Sequence, residues 1–259
     1  MNFLPLDDLL HKELKVRIGE RISGGLTKEQ LDQFDACTTI GESLEWLSIN
    51  RPDYRKIVEE EIEKAYTLNN IKVKSDYLMD DIIPFPIFNS VINHPVFGNE
   101  KEFLHIRRHG DQQWLRSITL QKGKQYDVKV FFRNDAMPKF NQSDFNHCGV
   151  AVKSTVAIGL PSKIEQKGIL SGKISANFVF PKAIDKVSLY ADIKDSLQLR
   201  YIPGSAKIYN NWKANDKIMS TRLFDYPTGT LLGLNDLNGV IPGGDDYSGC
   251  IIFVFEVSN

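Results

Sequence analysis

The side chains of this chain that could do chemistry gather at four places, and each has a plain structural use beside the chemical one. His105, Arg107, Arg108 and His109 form a basic run beside Asp111 and Trp114, suited to an acidic ligand, a nucleic-acid phosphate or an acidic protein surface. In a strand, Arg107 and His109 share the face of His105 while Arg108 opposes them, so the run divides between two faces, as in an ion-paired or solvated strand. Asn235, Asp236, Asn238, Asp245 and Asp246 offer hard oxygen donors of the kind calcium takes, within a glycine-rich stretch. Their spacing is not that of an EF-hand, and the same residues favour turns through local side-chain hydrogen bonds. Trp212, Tyr209, Tyr201 and Tyr226 supply aromatic faces for stacking on sugar rings, or else for filling a core. His147-Cys148 joins an imidazole to a thiol that it would deprotonate if the two converged, yet neighbours on a strand point to opposite faces.

Familiar catalytic signatures are missing: there is no nucleophile elbow, zincin helix, Walker loop or dinucleotide-binding glycine pattern. Ser23-Gly24-Gly25-Leu26-Thr27-Lys28 follows a helix pattern and lacks phosphate-loop glycine spacing, so a helix stop and restart accounts for it. Calcium is the one cofactor these residues suggest, and no other is required. The formal net charge of -1 disfavours broad nucleic-acid binding by a basic surface. Charge is unevenly shared, since residues 1–66 hold 14 Asp/Glu against 9 Lys/Arg, a net of -5. Three scattered cysteines suit a reducing compartment rather than a disulfide framework or zinc ribbon, and the start MNFLPLDDLL does not read as a signal peptide. A cytoplasmic location is expected, with unconventional export the alternative. No apolar stretch approaches the roughly 20 residues of a membrane span.

The first quarter of the chain is patterned for helices. Leu6, Leu10, Leu14, Ile18 and Ile22 recur every fourth residue. Thr27 and Gln30 form a capping box with Leu26 and Leu31 as a hydrophobic staple, Thr39 and Glu42 suggest a second cap, and Pro52-Asp53 suits the first turn of a last helix. Tyr54, Ile57, Val58, Ile62 and Ala65 supply that helix's buried face, with Glu59-Glu60-Glu61 expected to be solvated opposite it. The order VRIGERISGGLTKEQLDQF followed by EWLSINRPDYRKIVEEEIEK resembles an uncharacterised bacterial family of compact helical domains. That resemblance implies a fold and no known reaction.

Beyond a poorly periodic stretch, the Ile83-Pro84-Phe85-Pro86 run favours extended backbone, and its apolar neighbours are expected to pack on the C-terminal domain. The period then becomes two. Tyr126, Val128, Val130 and Phe132 alternate with Asp127, Lys129 and Arg133, and the Lys122-Gly123-Lys124 turn nominates Trp114–Gln121 as a hairpin partner. Val150, Val152, Val156, Ile158 and Leu160 read as one strand. Ile169–Ala176, Val187–Ala191 and Leu197–Ile202 continue the series, and CIIFVFEV at 250–257 reads as an interior strand. LQKGKQYDVKVFFRNDA, VKSTVAIGLPS, LRYIPGSAKIYN and YSGCIIFVFEV together resemble immunoglobulin-like conserved-repeat domains of bacterial surface proteins. The expected architecture is therefore multidomain α + β: a helical bundle at 1–68, a partly packed linker at 69–87 and an antiparallel immunoglobulin-like β-sandwich at 88–259. The function expected is non-catalytic, a protein-interaction or adaptor role with another protein as partner. A carbohydrate- or calcium-binding module is the alternative, and an enzyme built on His105, His109, His147 or Cys148 ranks last.

Overall fold

A computed structural model describes residues 8–58, 60–61, 76–145, 147–177, 179, 182–191 and 196–258 of the protein. The chain divides into two compact units, Met1–Val73 and Lys74–Asn259. Expectations for Leu6, Glu59, Ile62 and Ala65 lie outside the described residues, as do those for the side chains of Leu10 and Leu14.

The first unit holds helices α1 (Asp8–Ser23), α2 (Lys28–Asp35) and α3 (Ile40–Asn50), with a further helical turn at residues 54–58. Thr27/Gln30 and Thr39/Glu42 both form reciprocal capping boxes, which satisfy amides the first turns leave without partners. Between α1 and α2, a Cβ on Gly25 would meet the Arg51 guanidinium carbon at 2.2 Å, so that flexible side chain would have to move aside. Glu61 departs from expectation. It lies four residues after Ile57 and three after Val58, on their side of the helix. It is accordingly buried at 4% exposure and paired with Arg21 at 2.8 Å and Arg17 at 3.6 Å.

The second unit is β-rich and mostly antiparallel. Its strands are β1 (Leu104–Arg108), β2 (Ser117–Leu120), β3 (Gln125–Phe132), β4 (Thr155–Gly159), β5 (Lys163–Ile164) and β6 (Lys167–Ser175). They continue as β7 (Ala183–Ala191), β8 (Leu197–Tyr201), β9 (Lys207–Asn210), β10 (Thr230–Leu231) and β11 (Gly249–Ser258). A six-stranded sheet runs β1-β3-β11-β8-β5 with β9 also on β11, and a five-stranded sheet runs β10-β4-β6-β7-β2. Inward side chains of both, such as Val128, Phe253 and Phe255 from the first and Ile158, Leu170 and Leu189 from the second, join one apolar core. Burying such side chains contributes roughly 1.5–3 kcal/mol each, the main driving force for closing the two layers.

Two strand expectations are corrected. The Trp114–Gln121 segment does not form a hairpin with β3, because β2 leaves for the other sheet and pairs parallel with β7. β3 takes β1 and β11 as neighbours instead. The 150–160 strand begins only at Thr155, since Ala151 is held by a lone bridge to Ile241 and Val152 turns outward at 41% exposure. β11 is interior as expected, yet only alternate residues are fully buried, and its outward residues, among them Ile252 and Val254, are half-buried.

The segment before β1 is built into this unit. Tyr77, Ile83, Ile87 and Phe88 are buried, and residues 87–91 run beside the end of β3. Asn134 ties the junction together: its amide donates to the carbonyls of Gly149 at 2.8 Å and Ile241 at 2.9 Å, and its oxygen accepts from the amides of Ile87 and Ala136 at 3.3 Å. Replacing it by alanine leaves four buried backbone groups without those partners. Asn134→Ala is expected to cost about 3 kcal/mol in urea unfolding; an unchanged midpoint would refute this account of the junction.

Candidate functional site

Cross-strand partners in a sheet share a face, so the registers around β3 and β11 define the outer surface of the six-stranded sheet row by row. One row is Phe131, Cys250 and Tyr209, and the next is His105, Lys129, Ile252 and Lys207. A third is Arg107, Asp127 and Val254, and a fourth carries Gln125, Glu256 and Arg200. Most of these side chains are half-buried, while their sequence neighbours on the inner face are fully buried.

Trp114 crosses this surface between β1 and β2. Its ring receives the Arg107 guanidinium at 4.3 Å and the Lys129 ammonium at 4.8 Å. Arg107 is also held by Asp127 at 2.9 Å, and His109 reaches the other oxygen of Asp127 at 2.6 Å. Lys129 has no carboxylate partner among the described residues. Burial, and then the charge of Arg107, holds its pKa below the ordinary lysine value. Beside it, burial and then the charges of Lys129 and Arg116 push His105 down to about 4, so its imidazole is neutral at physiological pH. Burial raises the Cys250 thiol, with Lys129 only partly opposing. The face therefore combines a covered ammonium, a neutral imidazole and a protonated thiol.

One end of the face is set by a buried ion cluster immediately after β3. The Arg133 guanidinium lies 2.9 Å from Glu100 and 3.1 Å from Asp135, and it also donates to Asp245. Asp135 in turn accepts from the Ser90 hydroxyl at 2.7 Å and the Val91 amide at 3.2 Å. His94 accepts at Nδ1 from the amides of Val96 and Phe97, both at 3.1 Å, leaving Nε2 to donate to Asp245 at 3.3 Å. This fixes Phe97 against both His94 and Phe131, with ring centroids 4.5 Å apart in each pair. It also fixes the turn that carries Tyr247, which stacks on Trp212 at 5.5 Å, while the Trp212 indole donates to the Asp246 carbonyl at 2.9 Å.

Of the residues nominated from sequence, His105, Arg107, His109 and Tyr209 thus come to one side of one sheet, with His109 just past the strand end. Arg108 stands apart, opposite Tyr126 on the other side of β1, and is exposed. Trp212 joins Tyr247 rather than Tyr209. Tyr201 turns inward to rings of Phe224 and Phe253.

The nominated calcium donors lie on two separate turns. Lys217 holds the Asn235 carbonyl at 2.9 Å and the Asp236 carboxylate at 3.1 Å, and Asn238 accepts from the Val240 amide at 3.0 Å. Asp245 is taken by Arg133 and His94, and Asp246 contributes its carbonyl to Trp212. Among the described residues no three His, Cys, Asp or Glu side chains are grouped as a metal would need. His147 and Cys148 diverge, the imidazole to the Asn141 carbonyl at 2.6 Å and the thiol to the Pro84 carbonyl at 3.3 Å. Burial raises the Cys148 pKa.

Sequence reasoning passed over Asp127, Lys129 and Cys250 as site residues, and all of Glu100, Arg133 and Asp135. Phe131 was the available signal: an aromatic in phase with Asp127 and Lys129 marks their side of β3 as covered rather than solvated.

Residues 5–67 match the family model described as a protein of unknown function (DUF5663). No curated protein and no solved structure matches the chain. Among the described residues no helix is long and apolar enough to cross a membrane. The N-terminal region is thus an uncharacterised domain, and the β unit is described on its own geometry.

The ion cluster makes stability depend on pH. Burial, and then the charge of Asp135, pushes Glu100 up to about 9 against an ordinary 4.5, so between those values the folded chain keeps a proton that the unfolded chain has released. Stability therefore falls as pH rises through that window. Glu100→Gln, which imitates the protonated carboxyl, is expected to flatten the decline of the urea midpoint between about pH 7 and 9; parallel curves for the two proteins would refute the assignment.

Proposed function

We propose that this chain is a non-catalytic recognition protein that uses the outer face of its six-stranded sheet to bind a segment of another protein. The observation that carries this reading is the half-buried ammonium of Lys129, without a carboxylate and set among Trp114, Ile252 and Lys207. Such a surface gains from an apolar segment bearing an acidic group, which would supply the missing counter-charge and cover the apolar rows. The chemistry-bearing groups nearby favour binding over turnover. The imidazole of His105 is held neutral by burial, the Cys250 thiol is held protonated, and Asp127 is committed to Arg107 and His109.

In this reading the helical unit serves as a separate docking handle, in keeping with the acidic balance of residues 1–66. The β unit is taken as an immunoglobulin-like sandwich, a scaffold type on which strands and loops commonly carry recognition. Support comes from the two sheets around one core and from the crossing of consecutive strands β2 and β3 between them.

Carbohydrate binding is the second reading, favoured by the Trp212–Tyr247 stack, whose indole remains 38% exposed at the end of the same sheet. Affinity capture with the full chain, followed by calorimetry on the retained partner, separates the two. Lys129→Ala and Tyr209→Ala are each expected to weaken a protein partner about tenfold or more, with Trp212→Ala having little effect. Glycan-array binding that Trp212→Ala abolishes, and that Lys129→Ala leaves intact, would overturn the protein-segment reading in favour of sugar.

A further inference from the structure

The opposite side of the β unit carries a surface of different character. On the outer face of the five-stranded sheet, β6 and β7 place Lys167 opposite Tyr190, Ile169 opposite Ser188, Ser171 opposite Lys186 and Lys173 opposite Ile184. β2 extends the face with Ser117 beside Ser188 and Thr119 beside Tyr190. Three of these outward positions are lysines and none is Asp or Glu. The acid of β7, Asp185, points inward, where it is buried and bound by Arg116 at 2.5 Å.

This contrasts with the six-stranded sheet, whose outer Arg107 and Arg200 are paired with Asp127 and Glu256. Here the Lys167 ammonium lies 5.7 Å from the Tyr190 ring centroid and the Lys173 ammonium donates to the Pro227 carbonyl at 3.1 Å. Among the described residues neither Lys167 nor Lys186 has a carboxylate partner.

The apolar members of the face are unusually open: Ile169 is 42% exposed, Ile184 54% and Tyr190 40%. Cations and apolar side chains are interspersed across the paired positions from Lys167 to Lys173, seven residues and roughly 20 Å of strand. Any flat body that receives the ammonium groups therefore receives the isoleucines and the tyrosine as well. A nucleic acid or an anionic polysaccharide would use the lysines and Tyr190 and leave both isoleucines in water. An anionic lipid surface uses all of them, with phosphates meeting ammonium and hydroxyl groups and the aliphatic and aromatic side chains entering the headgroup boundary.

We propose that the outer face of the five-stranded sheet is a peripheral docking surface for anionic phospholipid membranes. Lys167, Lys173 and Lys186 supply the attraction, and Ile169, Ile184 and Tyr190 supply the interfacial contact. This face lies on the other side of the β unit from the recognition face.

The test is co-sedimentation of the full chain with vesicles of phosphatidylcholine alone or with about one third phosphatidylglycerol, at low salt and at about 0.5 M salt. Binding is expected only with phosphatidylglycerol, and it is expected to fall at high salt. Each lysine near an anionic surface contributes about fivefold to partitioning, so the K167E/K173E/K186E variant is expected to lose about 100-fold or more. The I169S/I184S variant changes only exposed side chains, and its partitioning is expected to fall about tenfold with no change in thermal melting. Should the charge-reversed chain fail to fold, the isoleucine variant and the salt dependence decide. Absence of binding to the anionic vesicles overturns the proposal, as does binding that neither variant weakens. So does tighter binding to a single-stranded oligonucleotide or to heparin that I169S/I184S leaves untouched, which would assign the face to a polyanion.

Discussion

The β unit depends on the buried guanidinium of Arg133. One side chain at the end of β3 draws in carboxylates from three other places: Glu100 from the strap before β1, Asp135 from two residues along, and Asp245 from the turn before β11. A guanidinium presents its donors in a fixed plane, so each carboxylate that meets it has its backbone positioned too. Three acids around one arginine exceed what a single positive charge neutralises. The raised pKa of Glu100 is the result, since a retained proton relieves repulsion within the buried group. Breaking such a cluster at one member would strand the others without a partner, which makes it unforgiving of substitution.

From that anchor the aromatic end of the recognition face is assembled by short steps. His94 links Asp245 to the 94–98 turn, that turn seats Phe97 on Phe131, and the Asp245–Tyr247 turn presents Tyr247 to Trp212. The rest of the face is set by β11, which joins β3 on one side to β8 and β9 on the other and so carries the register from His105 across to Lys207. The two outer surfaces differ in how their charges are answered. On the six-stranded sheet the arginines are paired within the protein and Lys129 is the exception; on the five-stranded sheet, among the described residues, Lys167 and Lys186 have no carboxylate partner.

Local rules of the chain were legible in proportion to how local they are. Capping at Thr27 and Thr39 needs only residues three apart, and it formed as the spacing implies. Alternation from Tyr126 to Phe132 identified β3 for the same reason, as the apolar run before Val257 identified an interior strand. The 121–124 turn misled because a turn specifies a change of direction and not which sheet receives the next strand. β2 went to β7 in the other layer, a choice set by partners about 70 residues away. Glu61 was hidden by two charged neighbours, although its spacing from Ile57 and Val58 already put it on their side. The site was half legible: face parity joined His105, Arg107 and His109, whereas Tyr209 entered only through two successive registers, and the Arg133 cluster draws on positions 100, 133, 135 and 245.

The placement of β11 has a bearing on how the unit comes into being. During synthesis β3 and β8 leave the ribosome well before residues 249–258, yet β11 is the strand that lies between them. Until it arrives, β3 has only β1 beside it, and the backbone donors and acceptors along its other side face outward as an open template for strands of other molecules. Closure must also wait for contacts more than 100 residues apart in the chain, a topology that favours slow folding. A nascent chain halted before residue 249 would hold nearly all of its strands and still lack the one that joins the two halves of its larger sheet.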